Sequence, residues 1–194
     1  GSNKNMQRNH FLANTSYLAL STLVTQVIAF VIFIYVSKVI GPDDMGQYYF
    51  IISTVTFFAF FSLGGINDQL VRSSRGKLEV LEKKFPVFLV SKIYLIIFSI
   101  MCCVVFSFVF SPISVEVTFL LAFFSVNIFF DSLYQFFGVI FKIGERMEVN
   151  AILNFFRNLF RAILLFIFAY FDYSFIFLFS SFLILNFSFM FITI

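Results

Sequence analysis

Charge is the scarcest feature of this sequence. Asp, Glu, Lys and Arg make up 12% of its 194 residues, against 61% hydrophobic residues, and mean hydropathy is +1.00. A soluble domain carries about a quarter charged residues because its surface must face water, so a soluble globular fold is excluded. Tryptophan is absent, and the single histidine, His10, precedes the first apolar run. The two cysteines, Cys102 and Cys103, are adjacent within an apolar run. Neighbours on a helix point in different directions and make no metal-ligand spacing, so this pair reads as packing. Neither a cofactor motif, a metal site nor a catalytic constellation is visible. A net charge of +3 does not suggest nucleic acid as a partner, and where the charges sit matters more. The short alternating segments that build membrane barrels are missing too.

What the sequence has instead is six long apolar runs, at about 11–40, 46–70, 85–110, 115–141, 149–170 and 174–194. A helix needs roughly 20 apolar residues to cross a bilayer. Only helices satisfy every backbone group over such lengths in hydrocarbon. The expected fold class is therefore all-α integral membrane, with six transmembrane helices over residues 11–194 and a short tail over 1–10. Gly1-Ser2, with no initiator Met, reads as a cloning remnant or as the inside of a longer chain. The closing F-M-F-I-T-I stops inside an apolar run without flanking charge, so the chain reads as truncated at its carboxyl end.

Lys and Arg favour cytoplasmic loops, and the connections here alternate in basic content. Lys4 and Arg8 precede the first span. The second connection holds Arg72, Arg75, Lys77, Lys83 and Lys84, and the fourth holds Lys142 and Arg146. The first, third and fifth hold little positive charge beyond Lys38. This pattern predicts a cytoplasmic amino terminus. With no Trp, tyrosines anchor the interfaces, Tyr48 and Tyr49 among them; Tyr134 is the exception, well inside the fourth span.

Charge inside hydrocarbon is costly, so each instance needs a reason. The fourth span carries Asn127, Asp131 and Gln135 at i, i+4, i+8, which places them on one helix face. The fifth carries Asn150, Asn154, Arg157, Asn158 and Arg161 at three- and four-residue steps. At the helical rise, Asp131 and Arg161 both lie roughly 15 Å deep on antiparallel neighbours, which makes an Asp131–Arg161 contact plausible, with Arg157 one turn nearer the cytoplasm. One explanation is purely structural: a buried ion pair and its Asn neighbours joining two helices. Against it, two arginines face one aspartate, and surplus buried charge is costly. The functional explanation is a water-filled cavity with a positive lining that attracts an anion, because the planar guanidinium binds two phosphate oxygens at once. Arg72 and Arg75 would line an inner mouth, or merely set topology.

The stretch Gly41 to Gly46 has the outer spacing of a phosphate loop, but Gln47-Tyr48 stand where Lys and Ser/Thr are required. It resembles something else. Lys38-Val39-Ile40-Gly41-Pro42, then Gly46-Gln47-Tyr48, is similar to the basic-x-Leu-Gly-Pro…Gly-x-Tyr turn after the first helix of polysaccharide repeat-unit flippases. Asn14-Thr15 also fits, as do Gly65-Ile66-Asn67 running into Leu70-Val71-Arg72 and Arg75, and Gly144-Glu145-Arg146-Met147-Glu148 between spans four and five. Lys38 departs from the Arg that is frequent there. These flippases belong to the multidrug/oligosaccharidyl-lipid/polysaccharide exporter superfamily.

The resemblance implies about twelve to fourteen helices in two lobes around a central cavity. This chain would be the amino-terminal lobe, and its partner the carboxyl-terminal half of the same transporter. It further implies a place in the cell (cytoplasmic or inner) membrane and in O-antigen or lipopolysaccharide synthesis. The substrate would be an oligosaccharide on a polyprenyl pyrophosphate, flipped to the outer leaflet by alternating access, with no enzymatic step and no cofactor. A coupling ion, H⁺ or Na⁺, is not fixed by the sequence. In that scheme Arg157, Arg161, Arg72 and Arg75 bind or admit pyrophosphate. Asp131 is the counter-charge, and Asn127, Gln135, Asn154 and Asn158 are the polar lining. Two alternatives stand beside it: a cation-coupled multidrug exporter of the same superfamily, and a non-transporting membrane scaffold or assembly partner.

Overall fold

The computed structural model describes residues 23–24, 26–63, 65–74, 78–110, 114–143, 147–171 and 174–193. Among them there are eight helices and no strand: α1 Gln26–Ile40, α2 Pro42–Leu63, α3 Ile66–Ser74, α4 Leu78–Phe110, α5 Val115–Phe124, α6 Asn127–Ile143, α7 Met147–Phe171 and α8 Phe175–Thr193. Five spans are long and apolar enough to cross a membrane: Pro42–Ser74, Val80–Val109, Val115–Phe141, Glu148–Phe171 and Phe175–Thr193. The sixth expected span, the first in the chain, is represented by α1; the rest of it and the 1–10 tail lie outside the described residues.

The exposed surface shows what these helices are built for. Phe57, Phe60, Phe98, Met101, Phe108 and Phe119 all point outward and are more than half exposed. A monomer in water rarely tolerates a continuous apolar surface of this extent. In a bilayer it is the lipid-facing side, and the chain is a multi-pass membrane protein.

Turn chemistry sets where the helices begin and end. Gly41 has φ +91°, a left-handed conformation that favours glycine, and its carbonyl accepts from Met45 N at 3.2 Å. Pro42 opens α2, where its missing N–H is no loss, and Asp43 and Asp44 sit in the first turn against the positive helix end. The second expected span divides into α2 and α3. Gly65, with φ +68°, lies at the break, and its carbonyl accepts from Gln69 N at 2.9 Å. Beyond it α3 is amphipathic, burying Ile66, Leu70 and Ser74 while Asp68 and Arg72 stay exposed. The fourth expected span also divides, into α5 and α6, at Ser125-Val126.

Gly65→Val is expected to destabilise the protein by about 1–2 kcal/mol, because a β-branched residue is strained in the left-handed region. Asn, which tolerates that region, should cost less. Thermal melting of the two variants tests the order; equal losses would show that φ at 65 relaxes freely.

Among the described residues three apolar clusters hold the bundle, the smallest of them Ile96, Leu133 and Met190. Towards the side carrying the Gly41 turn, Ile51, Val55, Phe58, Cys103, Leu121, Phe124 and Phe179 pack together. Towards the side carrying Arg72, Ile66, Leu70, Leu81, Phe136, Val139 and Ile143 do so. On the Gly41 side a run of ring contacts links α1 to α2 through Phe33–Tyr49 and Tyr48–Tyr49. It continues from α2 to α8 through Tyr48–Phe179 and on to α5 through Phe124–Phe179. Polar side chains of α2, α4, α6, α7 and α8 also meet inside the bundle.

Candidate functional site

Asp131 is the hub of this polar interior. Arg157 Nη1 donates to Asp131 Oδ1 at 2.5 Å, and Arg161 Nη2 lies 3.5 Å from the same oxygen. Gln135, one turn along α6, donates Nε2 to the other carboxylate oxygen at 2.9 Å. Arg157 is the more enclosed arginine, with a side chain 10% exposed against 30% for Arg161. Its guanidinium lies 4.2 Å over the centre of the Tyr134 ring, a favourable cation–π placement. Tyr134 in turn donates its hydroxyl to Asn154 Oδ1 at 3.1 Å, and Asn154 donates to Asn150 at 3.3 Å.

Arg161 has a different second partner. Its Nη2 donates to Asn186 Oδ1 of α8 at 2.7 Å, and Asn186 donates to Asn127 Oδ1 of α6. Three helices thus converge on one polar node. Next to it is a cavity of about 420 Å³ walled by α1, α2, α5, α6, α7 and α8. Its wall on α2 runs from Tyr48 to Ala59, about 16 Å at the helical rise. Phe33, Tyr48 and Tyr49 line the Gly41 side, Arg161 lies midway, and Asn127, Asp131, Asn158, Gln26 and Thr56 line the deeper part. The volume suits a small-molecule group, and a mostly apolar wall with a few convergent polar groups is the usual make-up of such sites.

A family model described as polysaccharide biosynthesis protein matches residues 11–194. The chain belongs to the polysaccharide biosynthesis protein family. No curated protein and no solved structure matches it. Family membership places this multi-pass chain in polysaccharide biosynthesis.

Within this polysaccharide biosynthesis protein the residues singled out from sequence fall into three groups. Asp131, Arg161, Asn127 and Asn158 line the cavity, and so does Tyr48, first noted for its place after the Gly41-Pro42 turn. Arg157 and Gln135 are hydrogen bonded to Asp131, and Asn154 joins them through Tyr134, whose ring lies under Arg157; none of the three lines the cavity. The remainder are elsewhere. Lys38, Gly41, Pro42 and Gly46 surround the turn between α1 and α2, and Arg72 is exposed on α3. Arg75 lies outside the described residues, as does Asn14.

Three residues of the interior were not singled out for a role from the sequence. Asn186 has only its isolation in an apolar run as a signal. Tyr134 stood out for its depth alone. Lys92 of α4 is fully buried, and its signal is a lone cation seven residues past Phe85 in the third run.

Proposed function

We propose that the chain is one lobe of a lipid-linked oligosaccharide flippase, and that Arg161 holds the pyrophosphate of its substrate. One observation carries this reading: Arg161 lines the cavity while Asp131 already accepts a shorter bond from Arg157. Two arginines share this one carboxylate, so the cluster keeps a surplus positive charge beside the cavity even though Arg161 lies 3.5 Å from Asp131. A pyrophosphate offers oxygens in the spacing that a guanidinium fork binds in pairs. The rings of Phe33, Tyr48 and Tyr49 line the Gly41 side, and in the cytoplasmic-amino-terminus orientation that side is the outer one. The deeper polar lining then lies towards the leaflet on which the substrate is made, the side that carries Arg72. Asn127, Asn158, Gln26 and Thr56 supply hydrogen-bonding groups suited to sugar hydroxyls. A carboxyl-terminal lobe would complete the cavity, and alternating access would carry the head group across.

Cysteine labelling separates a wet cavity from dry packing. In a Cys102→Ala/Cys103→Ala background, Asn158→Cys and Arg161→Cys should react with a membrane-impermeant aqueous maleimide. Asn154→Cys and Arg157→Cys should react far more slowly. No reaction at 158 and 161 would favour the scaffold alternative over transport.

A further inference from the structure

Lys92 is a charged side chain with 0% exposure in the interior of a membrane bundle, and no described carboxylate lies within ion-pair distance of it. Its Nζ donates to the Ser62 carbonyl at 2.8 Å. That carbonyl belongs to the last turn of α2, where helical carbonyls lose their own partners. Ser62 Oγ donates to Ala59 O at 2.6 Å and meets Ser132 Oγ at 2.5 Å. Ala59 lines the cavity, and so does Asp131, the neighbour of Ser132 on α6. The amine is thus tied to the cavity wall through Ser62, which bonds to Ala59 of the lining and meets Ser132, the neighbour of Asp131. A capping role alone does not account for a full charge here, since a neutral donor would serve the carbonyl without the cost of burying an ion.

Lys92, Arg157 and Arg161 together set three cations against the single carboxylate of Asp131, a surplus of two positive charges around one cavity. A pyrophosphate diester carries two negative charges and a phosphate diester carries one. We propose that Lys92 supplies the second surplus charge and so makes the cavity select a divalent pyrophosphate-linked lipid over a monovalent phosphate-linked one, acting through the field and not by contact. This rests on the cavity's being an anion site. On other helices packed on α4, Asp68 and Arg72 of α3 are exposed, and Glu116 is in the first turn of α5. Among the described residues of α2 and α6, Asp131 is the charged group within the bundle interior nearest the Ser62–Ser132 pair in sequence.

The test uses two soluble-chain probes that avoid the sugar: the methyl diesters of geranyl pyrophosphate and geranyl phosphate. Binding is measured to the full-length protein in lipid nanodiscs. Wild type should favour the divalent probe. Because the field acts on each ligand charge, Lys92→Met should weaken the monovalent probe about tenfold and the divalent probe about a hundredfold, collapsing the preference about tenfold. Lys92→Gln keeps a donor for the Ser62 carbonyl and should collapse the preference equally. The melting temperature of Lys92→Met should not fall below wild type, because an unpaired buried charge is removed.

Wild-type selectivity retained in both variants overturns the role of Lys92, and so does selectivity retained in Lys92→Gln alone, which would leave only a capping bond. Arg161→Ala should weaken both probes. If it weakens neither, or if wild type binds neither, the anion site itself fails, and the Lys92 proposal with it.

Discussion

Arg161→Ala is expected to abolish export of surface polysaccharide while membrane insertion and melting temperature stay close to wild type. The two halves of this expectation come from the two ends of the side chain's environment. Structurally Arg161 is the more dispensable arginine: its side chain is 30% exposed, and Asp131 retains the closer Arg157 and the Gln135 bond without it. Asn186 also keeps its bond to Asn127. Functionally it is the cation on the cavity wall. Hydrogen bonds to charged groups contribute about 1.5–3 kcal/mol each, so loss of a forked pair to phosphate would cost on the order of a hundredfold or more in affinity. Arg161→Lys keeps the charge and loses the planar fork, and should fall between the two. Export assays in cells that depend on this protein, read beside its membrane abundance, decide the matter. Unimpaired export by Arg161→Ala would remove this residue from the mechanism.

The opposite balance is expected at Asp131. Asp131→Ala leaves two guanidiniums without a carboxylate in a shared interior, and breaking a buried pair from one side typically destabilises by about 3–5 kcal/mol. Removing both partners is a different matter. Asp131→Asn combined with Arg157→Gln should recover most of the loss, since neutral amides can hydrogen bond to each other and to Tyr134. A double-mutant cycle on thermal melting measures the recovery. If the double variant loses as much as the two single variants combined, Asp131 and Arg157 are not coupled, and their 2.5 Å contact contributes nothing to the fold. Transport by the double variant should stay low in either case, because the deep polar lining would have changed.

The spans were legible because hydrocarbon imposes a length that long apolar runs display directly. The break at Gly65 was signalled by the Gly64-Gly65 pair. The break at Ser125-Val126 was not, because neither residue is a helix breaker. There the chain closes the turn with local bonds, including Ser125 N to Leu121 O at 3.0 Å and Ser125 Oγ to Ala122 O at 2.6 Å. Asp131, Arg157 and Arg161 were conspicuous because charge is rare in an apolar run. Their division of labour was not legible. Arg157 and Arg161 are one helical turn apart on one face, and only tertiary packing puts the first under Tyr134 and the second on the cavity. Tyr48 stood out as a turn residue, and its place on the wall depends on α8 bringing Phe179 against it. Lys92 follows a run of loop lysines closely enough to pass for topology. Its burial is set by where the carbonyl end of α2 falls.

The run of rings on the Gly41 side has an optical consequence. With no tryptophan and eight tyrosines in the chain, native ultraviolet emission is tyrosyl, and Tyr48 and Tyr49 are two of its sources on the cavity wall. A Tyr48→Trp substitution would place a single indole against Phe179 and beside the cavity, excitable at the red edge where no other residue of the chain absorbs. Occupancy of the cavity could then be followed as a change in one emission band, without labels and without waiting for polysaccharide to reach the cell surface.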